Sequence, residues 1–448
     1  MKTLIKILFF LLLLANSLTL VRKFAGIEAY TLDLVLIPFT LICLFWNSIN
    51  LSRVRPKFCG FDFLFLTLFG LMILSLTVSI NKTQGITHTL DWVRLLIIYF
   101  LARTLMGSVI TEQTLRIQFG LLTIFLMSLG LLQIIMGKPI GLLANYFGRD
   151  LNQVGWSIVS DYGARFRVSG PTPNSNVFAM WIIIYGGLSL SFAMAHKRFL
   201  LFICSIVLMW IVLIGTLSRG GFIGFSVFLL LLMWFNRNKI LSSQFGLPIL
   251  IFTSGLLAIM LGVLFLGSDL WFAKGIYFLF ERQSQSRDFS EGGLRRELIE
   301  AGLQLLANPK ILLVGCGADS MLDAMVKYAG KLATSSKIMN LISSGIETRA
   351  EVHNVWIRTA VETGFLSSSI LFSLFFLFIR KTTQWRRKID KNNLPWTSYL
   401  LSLSGWYILI SSQIYLAAAK LPVLLPIVLL MAFVVSHMTK HRESPPCQ

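Results

Sequence analysis

The chain has 448 residues, 55% of them hydrophobic and only 13% charged, with a mean hydropathy of +0.74. Soluble domains carry about 25% charged residues, so this composition excludes a soluble enzyme, a disordered chain and a nucleic-acid-binding domain. The 40 Lys and Arg against 20 Asp and Glu leave a net charge of +20, which membrane topology explains only in part.

A hydrocarbon core roughly 30 Å thick takes about 20 apolar residues per helix. On that measure the sequence predicts about twelve spans, near 4–20, 31–49, 62–80, 86–105, 117–137, 176–195, 199–217, 220–235, 247–267, 365–379, 397–416 and 421–438. The first, with Lys2 and Lys6 ahead of an apolar run, looks like a signal peptide but lacks a clear small-residue cleavage site, and is expected to remain as a helix. The fourth contains Asp91 and Arg94, whose i, i+3 spacing puts them on one face, where pairing lowers the cost of burial. The tenth is expected to reach back toward Val355.

With the N-terminus in the cytoplasm, every inward loop is basic and 19 of the 40 Lys and Arg fall on that side, as the positive-inside rule requires. Outside the spans on the outer side lie 20 basic residues and fourteen carboxylates. Two outer segments are long, 138–175 and 268 to about 354. They divide the chain into spans one to nine at 1–267, a large outer loop at 268–354, and the last three spans with a tail at 355–448. Within the large loop, Leu294, Leu298, Ala301 and Leu305 recur near a 3.6-residue period. Asn308-Pro309 ends that helix, and Gly315-Cys316-Gly317 marks a tight turn. Loops of this length in a compact fold are usually functional. The expectation is an all-α polytopic integral membrane protein with a small helical cap on its outer face. Cys316 is the one outer cysteine, so no outer disulfide forms within a single chain.

Four outer stretches carry residues with chemistry: Arg165 to Asn176, Gly215 to Gly221, Gly293 to Glu297, and Glu351 to Asn354. Ser218-Arg219-Gly220-Gly221 joins spans seven and eight. Arg at a membrane-helix mouth faces water or a partner, and the free N–H groups of span eight favour an anion there; the plainer alternative is a tight turn with a snorkelling Arg. Arg165 and Arg167 alternate along an extended segment, so they could share one anion or anchor to lipid head groups. Arg295 and Arg296 adjoin Glu297 and Glu300, which also suits a solvated helix face. Of five His, His353 alone stands among Glu351, Asn354 and a helix start, where an imidazole could move a proton, although a lone His is more often structural. The outer face has no Asp-x-Asp, no His-Glu-x-x-His, no Cys/His cluster of metal-ligand spacing, and no Walker-type loop. An arginine-rich site with no metal or cofactor, suited to a phosphate-bearing substrate, remains.

In order and sidedness these stretches resemble the O-antigen ligase and O-antigen polymerase superfamily. The resemblance runs from about 160 to 380, on Arg167 to Asn176, Thr216 to Gly221, Arg295 to Gly317, and His353-Asn354 with Glu362-x-Gly364. Where the family usually has Asn-Pro-Asn, this chain has Asn174-Ser175-Asn176. The resemblance implies an inverting, metal-independent transferase at the periplasmic face of a bacterial inner membrane. It would move a glycan from undecaprenyl diphosphate to lipid A-core in a ligase, or to another lipid-linked glycan in a polymerase. It implies that Arg219 and Arg295 bind the diphosphate, that His353 acts on the acceptor hydroxyl beside Asn354, and that Arg165 and Arg167 line the same cavity. The rival reading is a transporter of an anionic substrate, which should carry charged or broken helices near the midplane; here the residues singled out crowd one face, and only Asp91 and Arg94 lie deep in a span.

Overall fold

The computed structural model describes residues 1–18, 21–24, 27–49, 58–106, 108–138, 140, 156–159, 163–172, 174–196, 198–241, 291–328, 354–387, 394–413 and 421–440. Eight long helices come first: α1 Lys2–Leu18, α2 Thr31–Ile49, α3 Gly60–Thr77, α4 Lys82–Leu105, α5 Glu112–Met136, α6 Ser175–Ala195, α7 Phe199–Gly215 and α8 Arg219–Leu241. Three shorter ones follow, α9 Glu291–Leu306, α10 Pro309–Val314 and α11 Met321–Lys327. The chain closes with α12 Val355–Thr363, α13 Phe365–Arg386, α14 Leu394–Gln413 and α15 Leu421–Lys440. Among the described residues seven helices are long and apolar enough to cross a membrane (α2, α3, α4, α5, α6, α8 and α13), so the chain is a multi-pass membrane protein. The expected span at 247–267 lies outside the described residues.

Two findings amend the all-α expectation. Antiparallel hairpins join Val21–Phe24 (β1) to Ile27–Tyr30 (β2), and Trp156–Val159 (β3) to Gly163–Phe166 (β4). The tenth span does not reach back to Val355: Gly364, at φ +89°, breaks the chain into α12 and α13. A left-handed residue cannot continue an α-helix, and glycine takes that conformation without steric cost.

The other boundaries follow from side chains able to satisfy free helix ends. Asn81, Thr111, Asn174, Asn308 and Asn354 cap α4, α5, α6, α10 and α12 by accepting from a backbone N–H of the first turn. Pro309 opens α10, where its missing N–H costs nothing, and Gly137 at φ +60° closes α5.

Helix α6 forms the middle of the bundle, with Phe178, Trp181 and Tyr185 fully buried. Helix α2 shows the opposite character, with Leu34, Ile37, Leu41 and Phe45 exposed on one flank, the surface a lipid-facing helix presents. Asp91 and Arg94 do pair, at 2.6 Å, but the pair is part of a larger cluster. Arg94 also forks onto both carboxylate oxygens of Asp33 in the first turn of α2, at 2.7 and 2.8 Å, and lies over the Tyr30 ring. The cluster therefore meets the end of a helix, where burial of charge costs less than at a midplane.

Opposite ends of the bundle can be told apart by what meets there. At one end Arg103 of α4 pairs with Asp62 of α3 at 3.1 Å and donates to Ser436 of α15. Trp385 of α13 stacks near His437 of α15, and Arg386 donates to Ser398 of α14 and to the Phe235 carbonyl of α8. The other end then holds the C-terminus of α3, the N-terminus of α4, and the starts of α8 and α13. Helices α9, α10 and α11 gather there over a second small core of Leu298, Ala301, Leu305, Ile311 and Met325, closed by Val361 of α12.

Candidate functional site

The first two sequence stretches are held together by Arg167. Its Nε donates to the Thr216 carbonyl at 2.9 Å, and Nη2 donates to Asn176 Oδ1 at 3.0 Å and to the Leu217 carbonyl at 3.3 Å. The neighbouring Val168 N–H donates to the Gly215 carbonyl, so the segment pairs with the end of α7. Gln133 of α5 completes the frame: its Oε1 accepts from the N–H groups of Ser169 and Gly170, and its Nε2 donates to the Gly170 carbonyl. Gly170, at φ +58°, lies where any Cβ would enter the Phe178 ring.

The turn between α7 and α8 is equally determined. Leu217 takes φ +47°, an uncommon conformation for a branched side chain. Thr216 Oγ1 accepts from the Ser218 N–H, and Ser218 Oγ accepts from the Gly221 N–H at 3.0 Å, capping α8. A Cβ on Gly221 would lie 2.5 Å from Ala179 Cβ, so this glycine lets α8 lie close against α6. Arg219 is the first residue of α8, where free N–H groups gather.

Helix α9, which runs on from the third stretch, and helix α12, which Asn354 caps, meet through the cap. Helix α9, which carries Arg295, packs its Leu298 and Leu305 against Val361 of α12. The Gly315–Ser320 turn lies on the end of α12: the Cys316 N–H donates to the Val361 carbonyl and the Gly317 N–H to the Glu362 carbonyl, both at 2.9 Å. A Cβ on Gly315 would collide with the Glu362 carbonyl, one on Gly317 with Ser79, and one on Gly364 with the Leu313 carbonyl. All three glycines have positive φ, so Gly-Cys-Gly and Glu-x-Gly are two halves of one backbone contact. The turn also reaches the α3–α4 connection, where Ser79 and Ser320 hydroxyls are 3.0 Å apart and Ile80 N–H donates to the Cys316 carbonyl.

A charged cluster that sequence reasoning left unassembled occupies this contact. Arg358 pairs with Asp319 of the turn and, through Nε, with Glu362 Oε1 at 2.8 Å. His88 of α4 lines the same small cavity with Arg358, Thr359, Glu362 and Tyr407. Burial pushes the Glu362 carboxyl up from 4.5 to about 7; the Arg358 guanidinium opposes that shift and the Asp319 carboxylate adds to it. Burial likewise pushes the Cys316 thiol up, leaving an inert sulfur. The i, i+4 spacing of Arg358 and Glu362 was a legible signal for this cluster. Asp319 gave none, since its partner is 39 residues away.

Of the expected site residues, Arg167 and Asn354 are placed with their side chains, and both make protein contacts, Asn354 as the cap of α12. Arg165 on β4, Arg219 and Arg295 are placed by their backbone. His353 lies outside the described residues, adjoining the Asn354 cap in sequence. The expected sharing of one anion by Arg165 and Arg167 does not describe Arg167, whose Nε and Nη2 serve protein acceptors. Among the described residues no three His, Cys, Asp or Glu gather as a metal site would require.

Residues 204–372 match the family model described as O-antigen ligase. That stretch runs from α7 to α13 and takes in the α7–α8 turn, the cap and α12. The segment of Arg165, Arg167 and Asn176 lies before it and joins it through Arg167. No curated protein matches the chain.

Proposed function

We propose, from the match of residues 204–372 to the family model described as O-antigen ligase, that this chain is a glycan transferase of the ligase kind. It takes an O-antigen-type polysaccharide from undecaprenyl diphosphate and passes it to lipid A-core at the periplasmic face of the inner membrane. The chain crosses that membrane about twelve times with both termini in the cytoplasm, and α9–α11 form the periplasmic cap.

The observation that supports this reading is that the Arg167 segment is tied to the α7–α8 turn and helix α9 to helix α12. By the expected topology the basic residues of the outer side exceed its carboxylates, as a diphosphate requires. Arg219 and Arg295 hold the diphosphate, and fixed guanidiniums stabilise the charge that grows on it as it leaves. Arg165 and Arg167 line the same cavity, Arg167 by holding the turn that presents Arg219. The leaving diphosphate needs no proton, so one base, His353, is enough to take the proton of the acceptor hydroxyl beside Asn354. A single displacement inverts the anomeric centre, and no metal or cofactor enters the step.

A polymerase would use the same chemistry with a lipid-linked glycan as acceptor. The dominant loop between spans nine and ten favours the ligase. A transporter is disfavoured because the deepest charges, Asp91 and Arg94, pair with each other and Arg94 pairs with Asp33 at a helix end. The test is gel analysis of lipopolysaccharide from a deletion strain complemented with the wild-type gene or with His353→Ala. Long chains are expected to return with the wild type alone while lipid-linked donor accumulates with the variant. Full restoration by His353→Ala would refute the assigned base. A single repeat unit remaining on the core of the deletion strain would assign the polymerase reaction instead.

A further inference from the structure

Past Lys310, helix α10 is apolar on every side: Ile311, Leu312, Leu313 and Val314 leave it in four directions about 100° apart. No charged residue follows until Asp319. Ile311 is buried in the core shared with α9 and α12, while Leu312 and Leu313 are exposed, Leu313 to 72%. A helix that is hydrophobic all round is normally a buried one, so a cover other than water suits these leucines.

The neighbouring elements identify that cover. A Cβ on Gly364 would collide with the Leu313 carbonyl, so α10 ends against the residue that precedes α13. Phe365, the first residue of α13, is 59% exposed, and Leu366 beside it is exposed too. From Phe365 the exposed side chains continue to Phe372 and Phe376, at i+7 and i+11, which is one flank of a helix long and apolar enough to cross a membrane. An outward apolar flank on such a helix is the surface that faces lipid, and on α13 it begins at Phe365. Helix α10 also lies beside α3, another such helix, whose Ile73 and Leu74 are exposed near its end. Leu312 and Leu313 therefore extend a lipid-facing surface at its rim. Lys310, exposed one turn before Leu313, is placed for its ammonium to reach lipid phosphates while its stem lies on apolar surface.

We propose that α10 is the foot by which the cap stands in the membrane, Leu312 and Leu313 entering the acyl chains of the adjoining leaflet beside Phe365 and Leu366. The same short helix fills the cap core through Ile311 and meets Gly364 through its backbone, so seating it fixes the height of the cap over the bilayer. The inference needs the membrane spans described above and is independent of the transferase reading.

The test uses the full-length protein in nanodiscs of phosphatidylethanolamine and phosphatidylglycerol. The photoreactive residue p-benzoylphenylalanine replaces Leu313 in one protein, Leu312 in a second and Phe372, as the lipid-facing reference, in a third. After illumination, mass spectrometry should find phospholipid adducts at positions 312 and 313 as at 372. Adducts at 372 with none at 312 or 313 would overturn the proposal, and so would crosslinks from 312 and 313 to a second copy of the chain or to another segment of the same chain. Leu313→Gln gives an independent reading. A water-facing leucine tolerates that exchange with little change in stability, whereas one among acyl chains does not. The thermal midpoint of Leu313→Gln in the nanodisc should fall by about 2 °C or more, and an unchanged midpoint would overturn the proposal.

Discussion

At the scale of single residues, the Arg167 and Asn354 side chains both serve protein contacts at helix ends. Arg167 illustrates the gain over sequence reading. Alternation along an extended segment suggested a partner for Arg165, whereas the side chain turns to carbonyls of a helix end 49 and 50 residues away. No local pattern reveals such a contact, because the acceptors are backbone atoms with no residue signature. Arg167→Lys keeps the charge but loses the fork; transfer in purified membranes should drop about 10-fold or more through displacement of the Arg219 turn, and wild-type activity would contradict that role. Ser175 is a gentler case. It is the first residue of α6, after Asn174 at φ −127° and ψ 111°, a conformation that a following proline tolerates. Ser175→Pro should therefore be neutral or stabilise by about 0.4–1 kcal/mol in thermal unfolding, and a loss of fold would show that the Asn-Ser-Asn turn differs from an Asn-Pro-Asn one. For Glu362, a folded carboxyl raised to about 7 binds its proton more tightly than the unfolded one at 4.5. Its burial penalty is absent below the lower value and complete above the higher, so it makes stability fall as pH rises between them. The groups facing it, Arg358, Asp319, Cys316 and His88 of α4 across the cavity, remain in Glu362→Gln. The thermal midpoint of the wild type minus that of the variant should fall as pH rises from about 5 to about 7, and a difference that does not change with pH would contradict the assignment.

At the scale of elements, apolar length and capping residues located most of the long helices, because both signals are local. Asn308-Pro309 separates α9 from α10 as expected. The break at Gly364 was less visible, since a glycine before an apolar run does not announce that its Cβ position is filled by a carbonyl from a distant helix. Short hairpins such as β3 and β4 give too few residues for a periodic signal. The glycine contacts make a sharp comparison. Gly317→Ala puts a methyl into Ser79 at a positive φ, whereas Gly70→Ala on α3 meets nothing within 4 Å. Unfolding in detergent should show the first destabilised by more than about 1 kcal/mol and the second unchanged or stabilised by about 0.5–1 kcal/mol. Similar values for the two would mean that the cap turn is not locked onto the α3–α4 connection.

For the whole molecule, the net charge of +20 separates by the two ends of the bundle. Some of it sits with the ends of α4, α8 and α13, where Arg103 and Arg386 are satisfied by Asp62, Ser436, Ser398 and the Phe235 carbonyl. By the expected topology the rest falls on the outer side. Composition alone identified a membrane protein, and sorting its charge by expected side is what suggests an end suited to an anionic substrate. The contacts made through Arg167 and through the α9–α12 core were not legible, because they depend on which helices neighbour one another. The central claim, that this end performs glycan transfer from a lipid diphosphate, is tested most directly by reconstituting the purified protein with undecaprenyl diphosphate-linked glycan and lipid A-core and following the glycan. The account predicts a glycan-bearing lipid A-core, released undecaprenyl diphosphate, an inverted anomeric linkage and no product with His353→Ala; donor left intact by the wild-type protein in the presence of both substrates would contradict it.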